Sequence, residues 1–210
     1  ADGRVYAVFA VKGKPEANGI RCFDLNTGDT LWKQDAGVIT SYRFKESPQF
    51  SNGRVFLHSI RDTNRSTLAA ANYHYESQVQ AWNAVTGQPL WTFTLTDSID
   101  VARIHSNDFN IGYNTVMCVV QDTIYASMGG IGSGNQRGRT VALVAEGNNP
   151  PRLLWSNTQQ FVTGYVGSIQ YVNGRILLNG GKNALKSTDG TVIPNYSSGA
   201  DPYGKIGAVM

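Results

Sequence analysis

The 210-residue sequence carries little charge, since only 16% of its residues are Asp, Glu, Lys or Arg. Its cations stand singly along the chain, as at Arg4, Arg54, Arg103 and Arg175, and no basic run occurs. Because nucleic-acid phosphates are bound by clustered cations, this spread argues against a nucleic-acid partner despite the net charge of +3. No apolar run reaches the roughly 18 residues of a membrane-spanning helix, so we expect no membrane span.

Cysteine and histidine are scarce, with two and three residues. Cys22 and Cys118 lie far apart within apolar strand patterns, which favours buried free thiols over a disulfide. The sequence has no H-E-x-x-H, no G-x-S-x-G and no paired-carboxylate motif. The Gly-rich run at 128–138 follows a strand but opens no helix, so it does not predict a phosphate-binding loop. We therefore assign no catalytic residue and no metal site.

Two stretches of the sequence are nearly alike: CFDLNTGDTLW at 22–32 and AWNAVTGQPLW at 81–91. In both, an Asp or Asn can bond its own backbone to start a turn, and the following Thr-Gly supplies positive φ without steric cost. Each stretch predicts a β-hairpin, and the large ring that closes it predicts docking against a neighbouring repeat. The structural residues of this motif are Asp24, Thr27, Gly28, Trp32, Asn83, Thr86, Gly87 and Trp91, with Trp155 closing a degraded third copy.

A second recurring phrase is a tight turn that leads into an alternating strand. It reads DGRVYAV at 2–8, NGRVFLH at 52–58, QDTIYAS at 121–127 and NGRILLN at 173–179. Together the phrases define a unit of strand A, turn, strand B, loop, strand C, turn and strand D. Four such units predict an all-β fold of β-propeller blades within a single domain over residues 1–210. The blades are expected at about 1–35 with 205–210, 45–96, 115–160 and 165–200.

The first unit has no strand A, and a candidate for it lies at the other end of the sequence. When Met210 is written before Ala1, the joined string aligns without gaps with residues 167–179. The predicted pairing involves Ile206, Ala208 and Met210 on one strand and Val5 and Ala7 on the other. Three arrangements satisfy it: closure within one molecule, pairing with a second copy, or excision from a longer protein at a blade boundary. The missing initiator Met and signal peptide suggest a processed or excised product.

The long connections all fall between strands B and C or between D and A, which share one face of a propeller. They are 11–18, 61–77, 129–138 and 96–114. A binding surface is therefore expected on this face. Its candidate residues are Arg61, Asp62, Arg65, Tyr73, His74, Tyr75, Asp100, Arg103, His105 and Asp108. The spacing of the His and acidic residues matches no metal-ligand motif, whereas the aromatic residues around His74 are typical of a protein or carbohydrate surface.

The A-x-D-x-x-T-G-x-x-x-W pattern resembles the tryptophan-docking motif of quinoprotein-type propellers, which are built of pyrroloquinoline quinone-like repeats. The GRVY phrase is similar to their second strand, and the resemblance covers nearly the whole chain. It implies half of an eight-bladed ring, or a closed or strand-exchanged unit of four blades. In quinone-binding members, a vicinal cysteine pair, a calcium held by a carboxylate and an Asn, and a catalytic Asp are typical. This sequence has no Cys-Cys, and Asp24 and Asn83 occupy turn positions.

The resemblance and the motifs together favour a non-enzymatic, extracytoplasmic scaffold, periplasmic or secreted and without a cofactor. It would bind a protein partner or assemble with itself through its terminal strands. One alternative is a fragment or subunit of a quinone-dependent dehydrogenase that uses pyrroloquinoline quinone with calcium. Another is a secreted carbohydrate-binding module. Asn64 and Asn195 lie in N-glycosylation triplets, which matter only in a secreted eukaryotic protein.

Overall fold

The computed structural model describes residues 3–9, 19–35, 47–62, 75–95, 115–128, 139–157, 168–178 and 183–194. Over these residues the regular structure consists of β-strands, which form four antiparallel sheets. Each sheet is a meander, in which strands that follow one another in the sequence are hydrogen-bonded neighbours. In this part of the chain, no helix is long and apolar enough to cross a membrane. The prediction of an all-β fold with four blade-like units is confirmed.

The strand bounds follow the four predicted units. Sheet 1 contains β1 (Arg4–Phe9), β2 (Gly19–Asp24) and β3 (Thr30–Asp35). Sheet 2 contains β4 (Gln49–Ser51), β5 (Arg54–Asp62), β6 (Tyr75–Asn83) and β7 (Pro89–Leu95). Sheet 3 contains β8 (Thr115–Val120), β9 (Thr123–Met128), β10 (Arg139–Val144) and β11 (Arg152–Asn157). Sheet 4 contains β12 (Ile169–Val172), β13 (Arg175–Leu178) and β14 (Asn183–Lys186), after which Leu185 forms a single bridge with Val192.

The short turns form where the sequence predicts them. At the A–B turn of sheet 2, Asn52 and Gly53 both have positive φ, 49° and 70°, which is the geometry of a two-residue hairpin turn that matches strand twist. Asn173 and Gly174 repeat it in sheet 4, with φ of 47° and 76°. The loop between β5 and β6 is shorter than the predicted 61–77, because β5 continues to Asp62, whose Cα partner is Tyr75.

The chain divides into two compact units, each built around one pair of sheets. Unit 1 comprises 1–110 and 146–150, and unit 2 comprises 111–145 and 151–210. In unit 1, the core between sheets 1 and 2 contains Ile20, Cys22, Trp32, Val55, Leu57, Trp82 and Ala84. In unit 2, the core between sheets 3 and 4 contains Val116, Tyr125, Ala142, Trp155, Ile169, Ile176, Leu178 and Leu185. The single domain over 1–210 and the ring size stay predictions.

Candidate functional site

The C–D turns of sheets 1 and 2 are built from the same hydrogen bonds. Asp24 Oδ1 accepts from the backbone N–H groups of Asn26 and Thr27 at 2.8 and 3.0 Å, and these bonds lower the pKa of that carboxyl. Asn83 Oδ1 accepts equivalent bonds in sheet 2, at 2.9 and 3.0 Å. Gly28 and Gly87 close the turns with φ of 75° and 72°, a region that disfavours residues with a Cβ. The Asp and Asn oxygens therefore have a structural role in the turn.

Trp32 joins sheet 1 to the turn of sheet 2. Its indole lies on Gly87 so closely that a Cβ built there would be 2.6 Å from ring carbon Cδ2. Its Nε1 donates to the Ala84 carbonyl at 3.1 Å, and the Tyr6 hydroxyl donates to the same oxygen at 3.2 Å. The Tyr6 ring also stacks on Phe50 with a centroid separation of 6.0 Å. One docking site within unit 1 is thus formed by the indole ring of Trp32, the hydrogen-bond donors of Trp32 and Tyr6, and Gly87.

Trp155 makes the same contact inside unit 2. Its ring covers Gly190 as closely as Trp32 covers Gly87, and its Nε1 donates to the Ser187 carbonyl at 2.8 Å. Asn157 Nδ2 adds a bond to the Gly190 carbonyl at 2.6 Å. Tyr125 takes the place of Tyr6, with its ring 6.0 Å from that of Trp155 and 5.9 Å from that of Tyr171. Two copies of the docking site are therefore occupied by tryptophan within this one chain.

Trp91 differs from Trp32 and Trp155, although it occupies the same motif position. Its indole Nε1 is buried without a hydrogen-bond acceptor among the described residues, and the ring tilted against it is that of Phe56, which has no hydroxyl. The glycine of the next C–D turn, Gly147, has nothing among the described residues within 4 Å of a built Cβ. The Gly147 carbonyl instead accepts a bond from Arg54 Nη1 at 2.5 Å. The Trp motif therefore recurs in sequence without always producing the same contact.

The face of sheet 1 that points away from the core of unit 1 is exposed at positions whose equivalents in the other sheets are buried. The register equates the pair Val5 and Phe23 with three other cross-strand pairs: Val55 and Trp82, Ile124 and Leu143, and Ile176 and Leu185. Val5 is 41% exposed, whereas Val55, Ile124 and Ile176 are fully buried. Leu25 is 62% exposed, whereas its equivalents Ala84 and Ala145 are buried. We call Val5, Ala7, Phe23, Leu25 and Gly28 the sheet 1 face.

The residues predicted for the long-loop surface are only partly described. Arg61 and Asp62 lie at the end of β5, and Tyr75 begins β6, so these three belong to strands and not to a loop. Outside the described residues lie Arg65, Tyr73, His74, Asp100, Arg103, His105 and Asp108, and also Ile206, Ala208 and Met210 of the predicted terminal strand. The long-loop surface and the terminal pairing stay predictions.

The resemblance to quinone-binding propellers implies metal ligands and a vicinal cysteine pair. Among the described residues, no group of three or more His, Cys, Asp or Glu side chains is placed to hold a metal ion. Neither Cys22 nor Cys118 is in a disulfide; Cys22 lies inside the core of unit 1 and Cys118 against the core of unit 2. Burial raises the pKa of the Cys22 thiol. Asp24 and Asn83 serve in the turns, where Oδ1 of each accepts two backbone N–H groups.

The Trp and Gly residues of the docking site follow from the sequence motif, but its other parts do not. Tyr6 and the Ala84 carbonyl were not predicted to take part, and neither was the exposed Leu25. A signal for the tyrosines does exist in the strand B phrase. Tyr6 and Tyr125 stand where sheet 2 has Phe56, and only the two tyrosines can donate a hydrogen bond.

Comparison with known proteins gives a family match and two similar structures. The PQQ_2 family model, described as outer membrane protein assembly factor BamB, matches residues 1–183. A europium-containing methanol dehydrogenase is 16% identical, covers 73% of this chain and 23% of its own, and has a TM-score of 0.42. BamB from Moraxella catarrhalis is 12% identical, covers 83% and 58%, and has a TM-score of 0.39. This chain thus spans less than two thirds of either protein, and a search of curated proteins found no match.

Proposed function

The chain belongs to the family of pyrroloquinoline quinone-like propeller repeats, and we propose that it acts there as a non-enzymatic scaffold that binds proteins outside the cytoplasm. The observation that supports this most is the sheet 1 face, an apolar surface exposed at Val5 and Leu25. Apolar patches of this kind are typical of protein interaction sites. The family description as an assembly factor supports the same function and an extracytoplasmic location.

A titration with pyrroloquinoline quinone and calcium tests the non-enzymatic part of this proposal. We expect no saturable change in quinone absorbance at equimolar protein, because no group of three or more His, Cys, Asp or Glu among the described residues is placed to hold a metal ion and Cys22 is buried. A quinone-loaded dehydrogenase of the same family is the matched positive control. Stoichiometric quinone binding would favour the quinone-dependent dehydrogenase and remove the scaffold proposal. Cell fractionation of the native protein tests the location, and recovery in the cytoplasm would contradict it.

We also propose that the scaffold assembles by adding a strand to β1, supplied by Ile206–Met210 of the same chain or of a second copy. β1 ends the strand order of sheet 1 in the described part of the chain. Leu25 N donates to the Gly3 carbonyl, so by antiparallel alternation the backbone groups of Val5 and Ala7 face β2. Those of Val8 face the opposite edge. The hydrogen bonds to an added strand would therefore be made by the neighbours of Val5 and Ala7, and not by the predicted Val5 and Ala7 themselves.

Proline substitutions separate the two sides of β1. Val8→Pro removes an N–H that faces the edge, whereas the matched control Ala7→Pro removes one that faces β2. We expect Val8→Pro and deletion of 204–210 to have the same effect on mass and stability. If a second copy supplies the strand, both abolish the oligomer in native mass spectrometry; if the same chain supplies it, both lower the unfolding midpoint of a monomer. An unchanged mass together with an unchanged midpoint would refute strand addition.

A further inference from the structure

The A–B turn of sheet 2 is an Asn-Gly pair that is open to solvent. Asn52 and Gly53 are both exposed. The ladder between β4 and β5 ends at the pair Ser51 and Arg54, so the N–H group of Gly53 lies outside it. A Cβ built at Gly53 meets nothing among the described residues within 4 Å, so the space around this glycine is open. The side-chain amide of Asn52 and the backbone nitrogen that follows it are therefore close in the chain and have room to react.

An asparagine followed by glycine can close a ring without an enzyme. The glycine nitrogen loses its proton to hydroxide and attacks Cγ of the asparagine. The new C–N bond forms as the Cγ–Nδ2 bond breaks, and Nδ2 takes a proton from water and leaves as ammonia. Water then opens the five-membered succinimide at either carbonyl, giving aspartate or isoaspartate with no change of oxidation state. Glycine favours the closure because it has no Cβ beside the attacking nitrogen and restricts the backbone least.

The turn of sheet 2 is hydrogen-bonded to the residue that accepts the indole of Trp32. The Gly53 carbonyl accepts from Ala84 N at 2.9 Å, and the Ala84 carbonyl accepts from Trp32 Nε1 at 3.1 Å. An isoaspartate at position 52 adds one carbon to the main chain of this two-residue turn. The longer turn displaces the Gly53 carbonyl from Ala84 N. A change at Asn52 therefore reaches the core of unit 1 through a single peptide group.

Sheet 4 repeats this arrangement in unit 2. Asn173 is exposed in the same turn, and a Cβ built at Gly174 meets only Ser187 Oγ, at 3.9 Å, which is an ordinary contact distance. The Gly174 carbonyl accepts from Ser187 N at 2.9 Å, and the Ser187 carbonyl accepts from Trp155 Nε1 at 2.8 Å. Both sheets that receive an indole thus have an Asn-Gly turn bonded to the accepting residue.

We propose that Asn52 and Asn173 are sites of spontaneous succinimide formation in the folded protein, and that the isoaspartate product loosens the core of the unit in which it forms. The reaction needs only water and the two residues of each turn. It is independent of the scaffold function and of strand addition to β1, because neither of these uses the A–B turns of sheets 2 and 4. Either proposal can therefore fail without the other.

The chain supplies two comparison sites. In sheet 3, Gln121 has a φ of 55° in the corresponding turn, but glutamine would have to close a six-membered ring, and Asp122 carries the Cβ that glycine lacks. Asn26 is exposed in the C–D turn of sheet 1, but the nitrogen that follows it belongs to Thr27 and donates to Asp24 Oδ1 at 3.0 Å. Neither site therefore combines an asparagine with an open glycine nitrogen.

Storage of the full-length chain at mildly alkaline pH, followed by peptide mapping that resolves isoaspartate from aspartate, tests the two sites. We expect both products at Asn52 and Asn173, while Gln121 and Asn26 stay intact. Mapping by residue also separates them from the Asn-Gly pairs at 18–19 and 179–180, which are not fully within the described residues. Absence of product at either site in the folded chain, or product there only in urea, would overturn the proposal.

Variants separate the altered linkage from the new charge. Asn52→Asp and Asn173→Asp carry the charge of the product on a main chain of normal length, so both should keep the unfolding midpoint and the indole N–H resonances of the parent. Asn173→Gln leaves Asn52 reactive, and its product should have a shifted Trp32 resonance and a lower midpoint. Asn52→Gln should do the same for Trp155. Gln121 shows that this turn accepts glutamine at positive φ. Isoaspartate products with unchanged resonances and midpoints would overturn the effect on the core.

Discussion

The indole ring of Trp32 lies directly on the α-carbon of Gly87, with no room for a side chain between them. This contact explains why the turn needs glycine for two separate reasons. The positive φ excludes a β-carbon on conformational grounds, and the ring excludes it on steric grounds. Gly28 also has a positive φ, but no ring covers it among the described residues. Comparing substitutions at Gly28 and Gly87 therefore separates the conformational effect from the steric effect.

Gly87→Ala should destabilise the protein more than Gly28→Ala. Both substitutions put Ala into the left-handed region, at about 1–2 kcal/mol. Gly87→Ala also forces the ring of Trp32 to move, which adds about 1–3 kcal/mol as overpacking. Urea unfolding followed by tryptophan fluorescence measures the difference. Equal losses for the two variants would mean that Trp32 does not rest on Gly87 in solution.

Trp32→Phe should destabilise the protein more than Trp91→Phe. The two indoles are both buried and have equal ring separations of 5.9 Å from Tyr6 and Phe56, but only the ring of Trp32 also rests on a turn glycine, Gly87. Only Trp32 has a hydrogen bond to lose, to Ala84, whereas Trp91→Phe removes a donor without an acceptor. We expect a gap of about 1–2 kcal/mol in the free energy of unfolding. A larger loss for Trp91→Phe would contradict this assignment of acceptors.

Asp24→Asn should remove part of the acid sensitivity of the fold. The N–H groups of Thr27 and Asn26 hold the pKa of Asp24 below its usual range. Because the folded pKa is lowered, the stabilisation is present above the unfolded pKa and is lost as the pH falls through the folded value. The substituted asparagine should keep the turn, because Asn83 forms the same turn in sheet 2. Unfolding midpoints from pH 6 to pH 2.5 should therefore converge for the two proteins at the acid end, and parallel curves would refute the linkage.

Cys22 should resist alkylation in the folded protein. Burial raises the pKa of its thiol, which lowers the thiolate fraction, and the residue is fully enclosed in the core of unit 1. Iodoacetamide labelling at pH 8, followed by peptide mass mapping, should be much slower than in urea. Cys118 is only half-buried and serves as the internal comparison. Rapid labelling of Cys22 in the native protein would show that the core between sheets 1 and 2 opens readily.

The sequence predicts the turns and strands because their causes are local. Asp24 and Asn83 bond to groups two and three residues ahead, and Asn52-Gly53 determines its own hairpin geometry. Repetition of these phrases is enough to predict the four sheets and the family.

The docking contacts could be predicted only in part, because they depend on what the neighbouring sheet presents. Trp91 has the same motif as Trp32, but its N–H has no acceptor in the described part of the chain, and nothing within residues 81–91 signals this. Likewise, Leu25 and Ala84 occupy one position of the repeat, yet only Leu25 is exposed. Exposure is a property of the packed arrangement, so the sheet 1 face could not be recognised before the register was known.

Ring-current shifts of the glycine α-protons test the central claim most directly. In the NMR spectrum of the isolated chain, the α-protons of Gly87 and Gly190 should lie far upfield, because each is beneath an indole ring. Those of Gly28 and Gly147 should have ordinary shifts, since no ring covers them in the described part of the chain. An ordinary shift at Gly87 would contradict the docking contact itself, and an upfield shift at Gly28 in the isolated chain would show that its turn is already occupied.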